Sequence, residues 1–195
     1  MNQIINIRGC NGSGKTHTVR KFLDILPSKS LGGKPGKPLG YLVDARDWGI
    51  FTPLYVVGSY ENACGGADTI RTQEEVADRT IKAYRMGHVL VEGLLMSKSS
   101  DGGHAAPILR DHNAIFGFLD TPWNICLERV LKRRASAGNT KEFDPNKTMK
   151  SAYEQCHRSY ELLSQSGGYD VRWINHKDAI GEVVNLLTTS ESMPF

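Results

Sequence analysis

Sulfur chemistry is scarce in this chain. Its four cysteines, Cys10, Cys64, Cys126 and Cys156, are widely spaced and include no C-x-x-C pair. That spacing excludes a zinc ribbon or a disulfide framework and predicts reduced thiols in a cytoplasmic protein. The six histidines show no metal-ligand spacing either. No apolar stretch is long enough to span a bilayer, and no signal peptide precedes the first apolar run, so no membrane partner is expected. Charge of one sign is also in short supply. A net charge of +3 is compatible with a polyanionic partner but does not by itself call for nucleic acid. Repeats, low-complexity tails and composition breaks are absent. With 195 residues, 39% of them hydrophobic, the chain predicts one domain over 1–195 with a real core.

Against these absences stands "GCNGSGKT", Gly9 to Thr16. It has the form G-x-x-x-x-G-K-[ST], which asks each residue type for a physical task. Gly9, Gly12 and Gly14, with Asn11 and Ser13 between them, let successive backbone N–H groups turn inward around an anion. Lys15 reaches the β and γ phosphates, and the Thr16 hydroxyl ligates Mg²⁺. The context fits. Gln3–Arg8 is an apolar run suited to a buried strand, and Lys15–Leu26 places Val19, Phe22, Leu23 and Leu26 at helical spacing. A strand, a glycine loop and a helix N-terminus make a phosphate site. A dinucleotide fingerprint counted from Gly12 fails, because His17 stands where its last glycine belongs.

Downstream, Pro27–Gly40 is rich in Pro, Gly and Lys and predicts a flexible loop whose lysines could brush phosphates. Strands are predicted at Tyr41–Asp44, Pro53–Tyr60, His88–Gly93, Ala114–Asp120 and Val171–His176. Helices are predicted at Thr72–Gly87, with Thr72 and Glu75 as a capping pair, and at Thr121–Gly138, Thr148–Gln165 and Asp178–Thr189. Asn139–Lys147 is a polar loop. Strands alternating with helices predict an α/β fold with a mainly parallel sheet covered on both faces.

Which nucleotide chemistry this serves follows partly by exclusion. The nearest match to a guanine-reading N-K-x-D is "NKTM" at Asn146, which lacks the aspartate, and "LSQSGG" at Leu162 is no transport-ATPase signature. A kinase remains. The stretch "FLDTPWNICLERVLKRR" (Phe118–Arg134) resembles the P-loop nucleoside, nucleotide and polynucleotide kinases, in which a strand ending in D-T-P leads into a helix whose late arginines border a lid, here around 133–148. More narrowly, "SYENACGGADTI" (Ser59–Ile70) is similar to a segment of phage-encoded kinases, including those that phosphorylate 5-hydroxymethyluracil in DNA. The resemblance implies a P-loop kinase fold, ATP and Mg²⁺, and a nucleotide-like acceptor, either free or in modified double-stranded DNA. A free nucleoside or nucleoside monophosphate kinase is the alternative acceptor reading. A switch-type nucleotide-binding protein is the rival from a different class.

The candidate residues follow. By the same resemblance, an aspartate ending the second strand takes the proton from the attacking hydroxyl and a nearby arginine holds substrate. Asp44 and Arg46 occupy those places, with Asp47 as fallback. Glu92 ends an apolar strand, where a charge is costly without a partner; Mg²⁺ beside Thr16 would supply one. Arg133 and Arg134 end the helix before the lid, where an arginine fork disperses charge on a transferring phosphoryl group. They could equally be a solvated helix end, and Arg129 could substitute. In "CGGAD" Gly65 and Gly66 would admit a flat base, Asp68 and Arg71 would bind its polar edges, and Cys64 reads as a small filler. Tyr60 and Trp48 are candidate stacking platforms. Trp123 and Trp173 read as core, and His157 as a surface residue.

Overall fold

The computed structural model describes residues 1–62, 65–93 and 105–192. At the centre lies β1 (Ile4–Arg8), buried at every position. A strand buried on both faces belongs in a parallel sheet covered by helices on both sides. Beyond the glycine loop, the chain continues through α1 (Lys15–Ile25), β2 (Ser28–Leu31), β3 (Gly40–Val43), β4 (Leu54–Val57), α2 (Gln73–Tyr84) and β5 (His88–Glu92). It then forms α3 (Ala105–Arg110), β6 (Ala114–Leu119), α4 (Trp123–Ser136), α5 (Ser151–Gln165), β7 (Asp170–Ile174) and α6 (Ala179–Ser192). The strands make one sheet in the order β2-β3-β4-β5-β1-β6-β7. From β4 to β7 every pairing is parallel. The glycine loop therefore leaves β1 between β5 and β6, where successive strands are laid down on opposite sides, the usual position for a ligand in such sheets.

α1 and α6 cover one face through Val19, Phe22, Val183 and Leu187, packed on Ile5, Ile7 and Leu90. The other face carries Val76 of α2, Cys126 and Val130 of α4, and Cys156 and Leu163 of α5 against Val89, Phe116 and Phe118. α2 begins as its sequence dictates: the Thr72 hydroxyl accepts from the Glu75 backbone N–H at 3.1 Å.

Two expectations about the chain before β4 need correcting. Pro27–Gly40 is not simply a loop. It contains β2, and Lys34 and Lys37 bridge across the turn into β3. Its polar, outward residues gave no apolar pattern, because this edge strand is held by backbone pairing to β3 and not by a buried face. More consequentially, β3 runs antiparallel to β4, with Val43 opposite Leu54 and Gly40 opposite Val57. The end of β3 therefore lies at the amino edge of the parallel strands, away from the glycine loop.

Among the aromatic side chains, Trp173 is not core. It is 37% exposed and stacks on Tyr160 with ring centroids 4.3 Å apart. His157 is not a free surface residue but lies between Tyr153 and Trp173, at 4.7 and 5.1 Å. Arg8, the last residue of β1, is fully buried. Its Nε donates to Asn6 Oδ1 at 2.5 Å, and its guanidinium lies 4.5 Å over Phe116 and 5.5 Å from Phe118. Burial lowers its pKa to about 9. A cation over aromatic faces recovers part of its lost hydration.

Candidate active site

The glycine loop is seated on α4. A Cβ on Gly12, whose φ is +81°, would stand 2.3 Å from the Cys126 carbonyl oxygen, so only glycine fits there. Around this contact Cys10 donates its S–H to Cys126 Sγ at 3.4 Å, and the Thr121 hydroxyl donates to the Ser13 carbonyl at 2.8 Å. The thiols Cys10, Cys126 and Cys156 are free and buried. Lys15 Nζ donates to the carbonyls of Gly9 and Cys10 at 2.9 and 3.1 Å. It thereby lies folded over the loop that a phosphate would fill.

Next to it, the Thr16 hydroxyl contacts both carboxylate oxygens of Glu92, at 2.8 and 3.1 Å. Glu92 is 2% exposed. Burial pushes its carboxyl up to about 7, and nearby Asp68 adds to the rise, against the lowering effects of Lys15, the Thr16 hydrogen bond and Arg20. A buried carboxylate and a hydroxyl at the edge of a phosphate loop are hard oxygen donors suited to Mg²⁺.

The raised pKa makes a stability prediction. Between the ordinary value of 4.5 and about 7, folded Glu92 holds a proton that the unfolded chain has released, so stability falls as pH rises through that window. The full effect is about 3 kcal/mol. Denaturant unfolding of metal-free protein should show this loss, and Glu92→Gln should remove it and be the more stable of the two at pH 8. Identical pH profiles for the two proteins would refute it.

The loop after β4 closes over this pair. Gly66 N–H donates to the Ser59 carbonyl at 2.9 Å, and Ser59 N–H donates to Thr69 Oγ1 at 3.1 Å. Arg20 of α1 ties the loop down through the carbonyls of Tyr60 and Asn62. A Cβ on Gly65 would lie 3.3 Å from Thr16 Cγ2, and one on Gly66 only 2.5 Å from Glu92 Cγ, at a φ of +74°. Gly65 and Gly66 are thus brought against Thr16 and Glu92. Gly66→Ala should therefore displace the loop, costing roughly 1–3 kcal/mol of stability. A thermal melt with native midpoint would count against so tight a fit. Asp68 follows in a 3-10 turn over Ala67–Thr69, exposed, its Oδ1 3.8 Å from a Cβ placed on Gly93. Arg71 is exposed beyond the turn. Cys64 lies outside the described residues.

Other predicted residues do not join the site. Asp44 follows β3 at the opposite edge, where its N–H donates to the Pro27 carbonyl just past the end of α1. α1 starts at the glycine loop and is 11 residues long. Asp44 is thus displaced from the loop by roughly the helix length, about 16 Å. There Arg46 holds it through Nε at 2.8 Å and Nη2 at 2.5 Å, keeping the Asp44 carboxyl down at about 2. Asp44 and Arg46 are therefore corrected from acceptor residues to a surface ion pair, and the fallback Asp47 lies in the turn directly after them. Trp48 packs edge-on against Phe22 at this same far end. Tyr60 is 6% exposed, and a Cβ on Gly65 would stand 2.9 Å from its ring. A side chain covered in this way cannot stack on a base.

The arginines separate as well. Arg134 turns into the segment after α4, donating to the Lys141 carbonyl at 2.5 Å and lying 4.5 Å over Phe143. Arg129 reaches the glycine loop itself, donating to the Gly12 and Ser13 carbonyls at 3.2 and 3.0 Å. Arg133 is exposed one turn further along the same side of α4.

No protein-family model matches the chain. It is, however, 30% identical to a 5-hmdU DNA kinase of Pseudomonas phage PaMx11 over 172 residues, covering 85% of this chain and 87% of that protein. A 5-hmdU DNA kinase of Delftia phage PhiW-14 is 26% identical, over 97% of this chain and 74% of its own length. One from Pseudomonas phage M6 is 30% identical over 145 residues.

Proposed function

The chain belongs to the phage 5-hmdU DNA kinases, and from that membership we propose that it transfers the γ-phosphate of ATP to the hydroxymethyl oxygen of 5-hmdU in DNA. The observation that carries this reading is the loop after β4, described at 58–62 and 65–70, which sets Gly65 and Gly66 against Thr16 and Glu92 beside the phosphate loop. An acceptor hydroxyl held beside that loop would meet a phosphoryl group on the phosphate loop. The backbone of Gly9–Thr16 and Lys15 would hold the phosphates, and Thr16 with Glu92 would hold Mg²⁺. That ion neutralises charge on the β and γ phosphates in such reactions. Arg129 and Arg133 would line the phosphates from α4, with 133–148 acting as the lid.

A base must sit within reach of the hydroxyl it deprotonates. Asp68 is an exposed carboxylate at this loop, on the turn directly after Gly66, and we assign it that role in place of Asp44. A base inside a duplex is stacked, so the target nucleotide must leave the stack to reach the site.

The test is transfer from labelled ATP to duplex DNA containing 5-hmdU, to the same DNA containing thymine, and to the free nucleoside and monophosphate. Label is expected in the 5-hmdU DNA and not in the thymine DNA. Transfer to the free monophosphate with none to modified DNA would overturn the reading.

A further inference from the structure

The β2–β3 hairpin projects from the carboxyl edge of the sheet, beside the loop assigned to the acceptor. The Gly58 N–H donates to the Leu39 carbonyl at 3.0 Å, and the Tyr41 hydroxyl donates to Glu61 Oε1 at 2.9 Å. Between hairpin, loop and α2 lies a cavity of 410 Å³ lined by Lys37, Pro38, Leu39, Ser59, Asn62, Thr69 and Arg79. Its size falls within the range of small-ligand sites, roughly 300–1,000 Å³. The same short loop that presents Gly65 and Gly66 to Thr16 and Glu92 presents Ser59, Asn62 and Thr69 to this cavity.

The charge here has a sign. Lys34 and Lys37 bridge across the hairpin turn, each backbone N–H donating to the other's carbonyl, at 3.3 and 2.8 Å. Both side chains are exposed. Like charges placed opposite one another are unfavourable, and among the described residues neither lysine is in an ion pair. Arg79 adds a third cation, although its Nη2 also meets Glu75 at 2.5 Å. Ser59 and Asn62 bring a hydroxyl and an amide, while the Thr69 hydroxyl is engaged with the Gly66 carbonyl at 2.7 Å, and Pro38 and Leu39 form an apolar wall. Leu39 is 45% exposed for so large an apolar side chain. Cations for phosphate, polar groups for its oxygens and an apolar wall for a sugar match one ligand class, the sugar–phosphate backbone of a polynucleotide.

We infer that this cavity and the Lys34–Lys37 hairpin turn hold the DNA backbone flanking the extruded nucleotide, while the base itself crosses the loop toward Thr16 and Glu92. The inference rests on the DNA-kinase reading and places its substrate. It commits to a duplex path over the β3–β4 side of the carboxyl edge, away from α4 and the lid.

The experiment compares the unsubstituted chain with Lys34→Ala/Lys37→Ala and Lys34→Arg/Lys37→Arg. For each, KM for 5-hmdU duplex DNA and DNA affinity by fluorescence anisotropy are measured over a salt series without ATP. Each phosphate contact contributes about 0.9 to the slope of log affinity against log salt. The alanine pair should lower that slope by roughly 2 and raise the KM for DNA on the order of tenfold. The arginine pair should restore both. An unchanged slope and DNA affinity in the alanine pair overturns the inference. So does lost transfer without any change in DNA affinity. If the unsubstituted chain fails to phosphorylate 5-hmdU DNA and the alanine pair still loses its salt slope, the kinase reading falls and the backbone site stands.

Discussion

Lys15→Ala should lower phosphoryl transfer by at least roughly 10²–10³-fold, the usual cost of removing one aimed donor from a developing charge, in a protein that still folds. Among the described residues, Lys15 Nζ hydrogen-bonds to the carbonyls of Gly9 and Cys10 at 2.9 and 3.1 Å. Its removal deletes no core packing, because the seat of the loop on α4 is built by Gly12, Cys126 and Thr121. What is lost is a mobile positive charge that can leave those carbonyls for the β and γ phosphates. Phosphoryl transfer is mostly positioning and charge neutralisation, so the loss falls on kcat. Steady-state transfer from labelled ATP beside a thermal melt of the same preparation makes the check. Native turnover in a folded Lys15→Ala variant would defeat the assignment of this loop to the reacting phosphates.

The parts of this site that were legible in the sequence are those whose chemistry is local. A phosphate loop is a contiguous backbone device, so "GCNGSGKT" reveals its position and its partner helix together. Glu92 was visible because a carboxylate ending an apolar strand needs a partner. Asp44 was misplaced because strand direction is not a local property. A carboxylate at the end of a strand faces the ligand only when that strand runs with β1. The sequence did hold a signal against it: 43 and 54 are too close for a crossover, since parallel neighbours need about a dozen or more residues, usually with a helix. Only a 3-10 turn, Arg46–Trp48, lies between them. In the same way the glycines, prolines and lysines of 27–40 hid a hairpin because its strand is exposed and pairs through backbone alone. Arg129 was harder to separate from Arg133 and Arg134, because all three lie on one helix. What distinguishes it is the contact between α4 and Gly12, which the sequence does not encode at short range.

The two aspartates give the sharpest division. Asp68→Asn should lose roughly 10²–10⁴-fold in transfer, the range for removal of a general base, with ATP affinity retained. Asp44→Asn should leave transfer near the native rate. Geometry decides between them. Asp68 stands on the turn that follows Gly65 and Gly66, themselves in contact with Thr16 and Glu92. Asp44 stands at the far edge of the sheet, its two oxygens taken by Arg46 and its carboxyl held down at about 2. A carboxylate so weakly basic is a poor proton acceptor even before distance is considered. The asparagine at 68 keeps the size and hydrogen-bonding reach of the side chain in an exposed turn, so the fold should persist and the loss should appear in kcat. Raising the pH separates the roles further. If Asp68 only positions the acceptor, a more ionised hydroxyl at high pH does nothing to rescue Asp68→Asn. If it takes the proton, the variant's rate should climb with pH where the native rate is flat. Near-native turnover by Asp68→Asn, or a comparable collapse in Asp44→Asn, would reverse the assignment and require an acceptor site on the other edge of the sheet.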